Sequence, residues 1–275
     1  MKAGAAVAAV TLAVAACGRG DRAGEGAAQP IRIIAADYAY SNVPDTVQTG
    51  WHDVRIVNRG RHPHMAVIAR LDSGTTLNDV MAAARGNKVR LVLTEVGGVN
   101  NVMAGDSLET AIDLPVGRYL VGCFIIDSAG RPHIADGMAA SFVVADAGAP
   151  AAAEPAADDT VRLTSFQISF ANAPVAGRHR IRVENSDTAR VNHDLLLLRI
   201  DDGKTAQDAM AWFATENDVA PFTVAAATTG LPPGLHDDIQ ADLVPGRYVA
   251  LCVMSAPDGR RHFAHGMMTE FTVKD

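Results

Sequence analysis

The second half of the chain repeats the first, and the repeat holds the chemistry-bearing residues at fixed separations. Pro115-Val116-Gly117-Arg118-Tyr119 is answered by Val244-Pro245-Gly246-Arg247-Tyr248, with Tyr248 lying 129 positions after Tyr119. The same shift carries His64 onto His193, Cys123 onto Cys252, His133 onto His262 and Met138 onto Met267. Upstream the shift is 127, from Gly50 to Gly177 and from Asn58 to Asn185, so the second copy has two extra residues in a loop before His193. A chain of 275 residues is long enough for two domains of ordinary size. The repeat places them at 31–146 and 160–275. Residues 147–159, rich in Ala, Pro, Gly and acid, show no hydrophobic periodicity and read as a linker.

Each copy reads as short strands. Asp53 to Val57 and Arg180 to Val183 alternate polar and apolar residues, the pattern of a half-buried strand. Ala66-Val67-Ile68 and Leu195 to Leu198 are continuously apolar, like strands covered on both faces. Arg32 to Ile34 and Arg162 to Thr164 open the domains, while Ser141 to Val144 and Glu270 to Val273 close them. Tyr119 to Ile126 and Tyr248 to Met254 read as the strands that carry Cys123 and Cys252. One helix interrupts each copy: Thr76 with Asp79, and Thr205 with Asp208, have the spacing of a helix N-terminus with its first-turn acid. Leu77, Val80, Met81 and Ala84 form one apolar face, repeated by Ala206, Ala209, Met210 and Phe213. The reading is all-β: two antiparallel sandwiches, each with one inserted helix. Aromatic residues are only 5% of the chain, so the cores should be aliphatic.

The N-terminus reads as a targeting segment. Lys2 precedes an apolar stretch from Ala3 to Ala16, too short to span a bilayer as a mature helix and suited to a signal peptide. Val14-Ala15-Ala16-Cys17 resembles a bacterial lipobox, which implies cleavage before Cys17 and lipid on its sulfur. Residues 1–17 are thus the expected lipoprotein signal and 18–30 a flexible tether. The expected location is outside the cytoplasm, held to a bacterial membrane by the lipid and facing the periplasm or the cell exterior. A net charge of −7, with no Lys/Arg run, argues against a nucleic-acid partner.

Both copies contain C-x9-H-x4-M, with a further His 59 residues before the Cys. A thiolate, two imidazoles and a thioether suit copper cycling between its two oxidation states. Asn58-Arg-Gly60-Arg-His-Pro63-His64 resembles the N-x-G-x-x-P-H stretch of plastocyanin-like cupredoxins, and His133-x4-Met138, with Gly137, resembles their H-x4-M ligand loop. The resemblance covers both domains and implies a Greek-key sandwich with type-1 blue copper. The ligands it implies are His64, Cys123, His133 and Met138, then His193, Cys252, His262 and Met267. The nine-residue gap is longer than plastocyanin's and nearer that of copper nitrite reductases. Asn192-His193-Asp194 departs from Pro63-His64-Met65, making the first domain the better expected copper site; the acid at 194 should make the second site wetter or shift its potential.

The implied function is electron transfer or copper handling, with a redox protein as partner. Oxidases and nitrite reductases of this family place a His beside the type-1 Cys, but Gly122-Cys123-Phe124 and Leu251-Cys252-Val253 have none. His62-Pro63-His64 is an H-x-H without a counterpart in the second copy. No second copper centre is therefore expected, and the chain reads as a non-enzyme. Three alternatives stay open: a metal-free binding or scaffold lipoprotein, a copper oxidase or reductase, and a Cys123–Cys252 disulfide. His52 and His179 form a further matched pair that reads as strand-edge decoration. His265 is unmatched, and reads as a shield or a spare ligand for the second site. Trp51 and Trp212 read as packing residues.

Overall fold

In the computed structural model the described residues are Met1, 30–86, 93–215 and 219–274. The expected signal peptide, Cys17 and nearly all of the tether lie outside them. The first sandwich comprises β1 (Ile31–Ala36), β2 (Ala39–Ser41), β3 (Thr46–Gln48), β4 (Gly50–Asn58), β5 (His64–Leu71), α1 (Leu77–Arg85), β6 (Leu93–Val102), β7 (Ser107–Leu114), β8 (Gly117–Gly122) and β9 (Ala139–Ala145). The second comprises β10 (Asp159–Thr164), β11 (Gln167–Phe170), β12 (Gly177–Asn185), β13 (Leu196–Ile200), α2 (Ala206–Thr215), β14 (Phe222–Ala227), β15 (His236–Leu243), β16 (Gly246–Leu251) and β17 (Met268–Val273).

One sheet of each sandwich is separate, in the orders β3-β9-β8-β5-β6 and β14-β13-β16-β17. The other two sheets join into one of eight strands, β11-β10-β12-β15-β7-β4-β1-β2. The chain crosses between sheets in Greek-key fashion. The expectation of purely antiparallel sheets needs correction, because β1–β4, β10–β12 and β3–β9 are parallel. The chain does not turn directly from β1 into β4 as a hairpin; it first visits β3 in the opposite sheet and returns in the original direction.

The alternating strands bury one face. Val54 and Ile56 of β4 lie in the sandwich core while Arg55 is exposed. The continuously apolar strands are covered twice. Ala66 and Ile68 of β5 face the first core, and Val67 and Ala69 pack with Val80 and Ala84 of α1. In β13, Leu197 faces the second core and Leu196 and Leu198 pack in the cluster holding Trp212 and Phe213 of α2. Thr76 and Asp79 form a reciprocal capping box at α1, and Thr205 bonds Asp208 in the same pattern at α2. The repeated Gly-Arg-Tyr fixes a corner: the Tyr119 hydroxyl donates to the Pro115 carbonyl (2.8 Å) and that of Tyr248 to the Val244 carbonyl (2.9 Å).

The domains meet through β7 and β15, where Thr110 pairs with Ile239 and Ala111 with Asp238. Thr110 and Ile239 are equivalent positions of the repeat, so a local twofold axis passes through this pair, as between subunits of a symmetric dimer. Arg180 bonds Asp53 across the seam (2.8 Å), and Trp51 stacks on His236. The linker is laid against the first domain: Trp51 donates its N–H to the Ala152 carbonyl (3.1 Å). Gly50 permits that approach, with φ +114 and a Cβ that would stand 2.5 Å from the Ala152 nitrogen.

Candidate metal centres

Each Cys stands one residue past its strand; β8 ends at Gly122 and β16 at Leu251, earlier than the sequence pattern suggests. There the backbone turns from the sheet ladder to the ligand loop. The Cys123 N–H donates to the Met138 carbonyl (3.1 Å), and its carbonyl accepts from the Ile134 N–H (2.7 Å). Cys252 bonds Met267 and Phe263 in the same way, at 3.2 and 3.0 Å. These bonds close the C-x9-H-x4-M segment on itself, bringing His and Met back beside Cys. The remaining His opens β5 in the first domain, and His193 makes an isolated bridge to Leu231 in the second.

Two groups of three donors result among the described residues: His64, Cys123 and His133, and His193, Cys252 and His262, with ligand atoms within 4.8 Å of one another. At the first, Cys123 Sγ lies 3.9 Å from His64 Nδ1 and 3.4 Å from His133 Nδ1. At the second, Cys252 Sγ lies 3.3 Å from His262 Nδ1, and the two Nδ1 atoms are 3.2 Å apart. Donors about 2.0–2.3 Å from one ion in a trigonal plane stand roughly 3.5–3.8 Å apart, so both groups fit a single ion. Met138 and Met267 are wholly buried beside their cysteines. Both groups fall within the same 4.8 Å, and the distances give no preference to the first domain.

Burial pushes the Cys123 thiol up to about 11 and raises Cys252 as well. Burial, then the neighbouring imidazole, lowers His64 and His262 to about 4. Without metal, each pocket at neutral pH therefore holds a protonated thiol, with His64 and His262 uncharged, and a metal must displace the thiol proton.

The outer nitrogen of each first His meets a carboxylate, which fixes the ring's orientation. His64 Nε2 is 3.4 Å from Asp37 Oδ1, and His193 Nε2 is 2.9 Å from Asp187 Oδ2. Burial alone would raise Asp37, but N–H groups of Arg61 and His62, with His64, hold it at about 2. Asp187 takes the repeat position of Gly60, where a Cβ would meet Asp37 Oδ1 at 2.4 Å and His64 Nε2 at 2.8 Å. An aromatic ring covers each second His: Tyr38 on His133 and Phe166 on His262, both with centroids 4.9 Å apart. Both occupy the hairpin turn after the opening strand, at φ 61 and 58. Sequence reasoning missed these residues. Tyr38 and Phe166 left a signal as aromatics 128 positions apart; Asp37 and Asp187 left none, lying at non-equivalent positions.

Asp194 corrects an expectation. It does not make the second site wetter; the residue is fully buried, its Oδ1 accepting the Val253 N–H (2.8 Å) and its Oδ2 an N–H of Asn100 (3.2 Å). His265 stands outside the donor group, bonded to Asp258 and packed on Phe166, so it shields rather than ligates. His52 and His179 each bond a carbonyl four residues back, at the start of their strands. Cys123 and Cys252 are free, so the disulfide alternative fails. A cleft of about 1800 Å³ between the domains is lined by Pro63 and His133 from one site and by Asp194 and Val253 from the other.

No protein-family model matches the chain, and no curated protein matches it. Solved structures similar to it include a multicopper oxidase, 16% identical over 88% of both chains with a TM-score of 0.27. Auracyanin B is 22% identical over 42% of this chain and 87% of its own, with a TM-score of 0.30. A dithionite-reduced auracyanin from the photosynthetic bacterium Roseiflexus castenholzii is 23% identical over 44% and 100%, with a TM-score of 0.28.

Proposed function

We propose that the protein is an exported, lipid-anchored electron carrier with a type-1-like copper centre in each domain. The observation that carries this reading is the convergence of one thiol and two Nδ1 atoms in each domain, at separations that one ion spans. Cys with two His and a neighbouring Met suits copper above zinc, for which a thioether is a poor ligand. When bound, copper supplies reversible one-electron chemistry. The chain supplies the rest: the closed loop holds Cys, His and Met together, Asp37 and Asp187 orient the imidazoles, and Tyr38 and Phe166 keep water off the second His. A buried, braced site rearranges little when its charge changes, which favours electron transfer. The Cys17 lipid would hold the carrier at a membrane, where a redox protein partner would meet it.

Voltammetry of the copper-loaded protein tests the role. A reversible one-electron couple, lost in the Cys123→Ser, Cys252→Ser double variant, is expected. Tight Cu(I) binding without a reversible couple would favour copper trafficking instead, and oxygen or nitrite consumption at substrate turnover would make the protein an enzyme. Mass spectrometry of the exported chain checks the anchor: a diacylglyceryl mass on Cys17 supports it, and an unmodified Cys17 overturns it.

A further inference from the structure

The local twofold axis carries Asn100 onto Thr229 and Asp194 onto Met65, each 129 positions away, so the seam between the domains holds two related corners. They are not alike. At one, Asn100 of the first domain donates to Asp194, the residue following ligand His193. At the other, the corresponding positions hold Thr229 and Met65, and the buried Thr229 hydroxyl has no hydrogen-bond partner. The register of β5 on β6 shifts between His64 and Ala66, whose partners Val102 and Val99 leave Asn100 and Asn101 as the irregular step. Such a bulge re-aims a side chain, and here the Asn100 amide reaches across the seam.

Asp194 lies where the second site is assembled. It follows His193 in sequence and accepts the N–H of the residue after Cys252 (2.8 Å), and its carboxyl lies close enough to the Cys252 thiol to disfavour the thiolate. Both its oxygens accept N–H bonds, the arrangement that suits a carboxylate. Its counterpart Met65 shares only the backbone bond to sulfur, donating its N–H to Cys123 Sγ (3.5 Å).

We propose that the second metal site is completed by the first domain: Asn100 holds Asp194, and Asp194 is a positioning residue that joins the His193 and Cys252 segments and sets that site apart from the first. This rests on the copper reading given above. The two centres are therefore unequal, and the second depends on the docking of the domains. A carboxylate beside the thiolate favours the higher oxidation state, so the second centre has the lower midpoint potential.

Full-length protein tests this with one site silenced at a time. In a Cys123→Ser background only the second site reports; in a Cys252→Ser background only the first. Asn100→Thr and Asp194→Met install the residues that the molecule already carries at its other corner, which favours folding. In the Cys123→Ser background each should weaken copper binding about tenfold and move the visible absorption band, and Asp194→Met should raise the midpoint potential. In the Cys252→Ser background neither should alter the band. A second-site band and affinity indifferent to both substitutions would overturn the inference while leaving the copper reading intact. Equal changes in both backgrounds would overturn it too. Absence of copper from both backgrounds and from the parent protein would remove the reading on which it rests.

Discussion

Gly60 and Asp37 together do at the first site what Asp187 does alone at the second. Gly60 leaves the space into which the Asp37 carboxylate enters to meet His64; at the same repeat position Asp187 fills that space with its own side chain. Gly60→Ala should therefore displace Asp37 and weaken copper binding at the first site about tenfold or more. Copper titration in the Cys252→Ser background measures it, and unchanged affinity would show that the carboxylate does not orient His64. A different residue governs stability. Asp237 is buried on β15, one oxygen accepting the Gly98 N–H (3.1 Å) and the other unpartnered. Burial raises its folded-state pKa well above the ordinary value. The folded chain thus holds the proton more tightly than the unfolded one, a contribution present at low pH and lost as pH rises through the folded value. Asp237→Asn cannot ionise, so its stability relative to the parent should increase from about pH 4 to about pH 8. Urea unfolding at several pH values reads this; a difference that does not vary with pH, or shrinks as pH rises, contradicts it.

At the scale of elements, local patterns made much of the fold legible. Alternation marked β4 and β12, and continuous apolar runs marked β5 and β13, because burial of one face or both leaves those signatures. Threonine and aspartate at the right spacing marked both helix starts. The strand ends at Gly122 and Leu251 were not legible, since Cys123 and Cys252 continue the apolar run after the ladder has opened. The donor sets were legible because the repeat preserved their spacing. Their carboxylate supports were not, because two unrelated positions converge only in three dimensions. The docked linker was also hidden: its composition suggests a free connector, yet Gly50 lets Ala152 pair with the edge of β4. Gly50→Ala combines a clash with a positive φ that L residues rarely adopt. It should cost about 2 kcal/mol of stability, read from thermal or urea unfolding; a loss below about 0.5 kcal/mol would mean that the linker yields easily.

Across the whole molecule, the repeat behaves as a dimer fused into one chain. The twofold pairing of β7 with β15, the Arg180–Asp53 bond and the shared apolar cluster around α2 and the first core make one continuous body. The seam left no sequence signal, because the pairing strands mix Thr110 and Ala111 with Asp238 and Ile239 rather than following a repeated pattern. A body so joined should unfold in a single transition whose calorimetric and van't Hoff enthalpies agree. Two separated transitions would show that the domains are energetically independent. The central claim concerns the two donor groups, and copper titration of the full chain, followed by thiolate-to-copper absorption, tests it most directly. Two copper ions per chain are expected, falling to one in Cys123→Ser, one in Cys252→Ser and none in the double variant. A parent protein that takes up no stoichiometric copper, or a visible band that survives loss of both cysteines, would contradict the account.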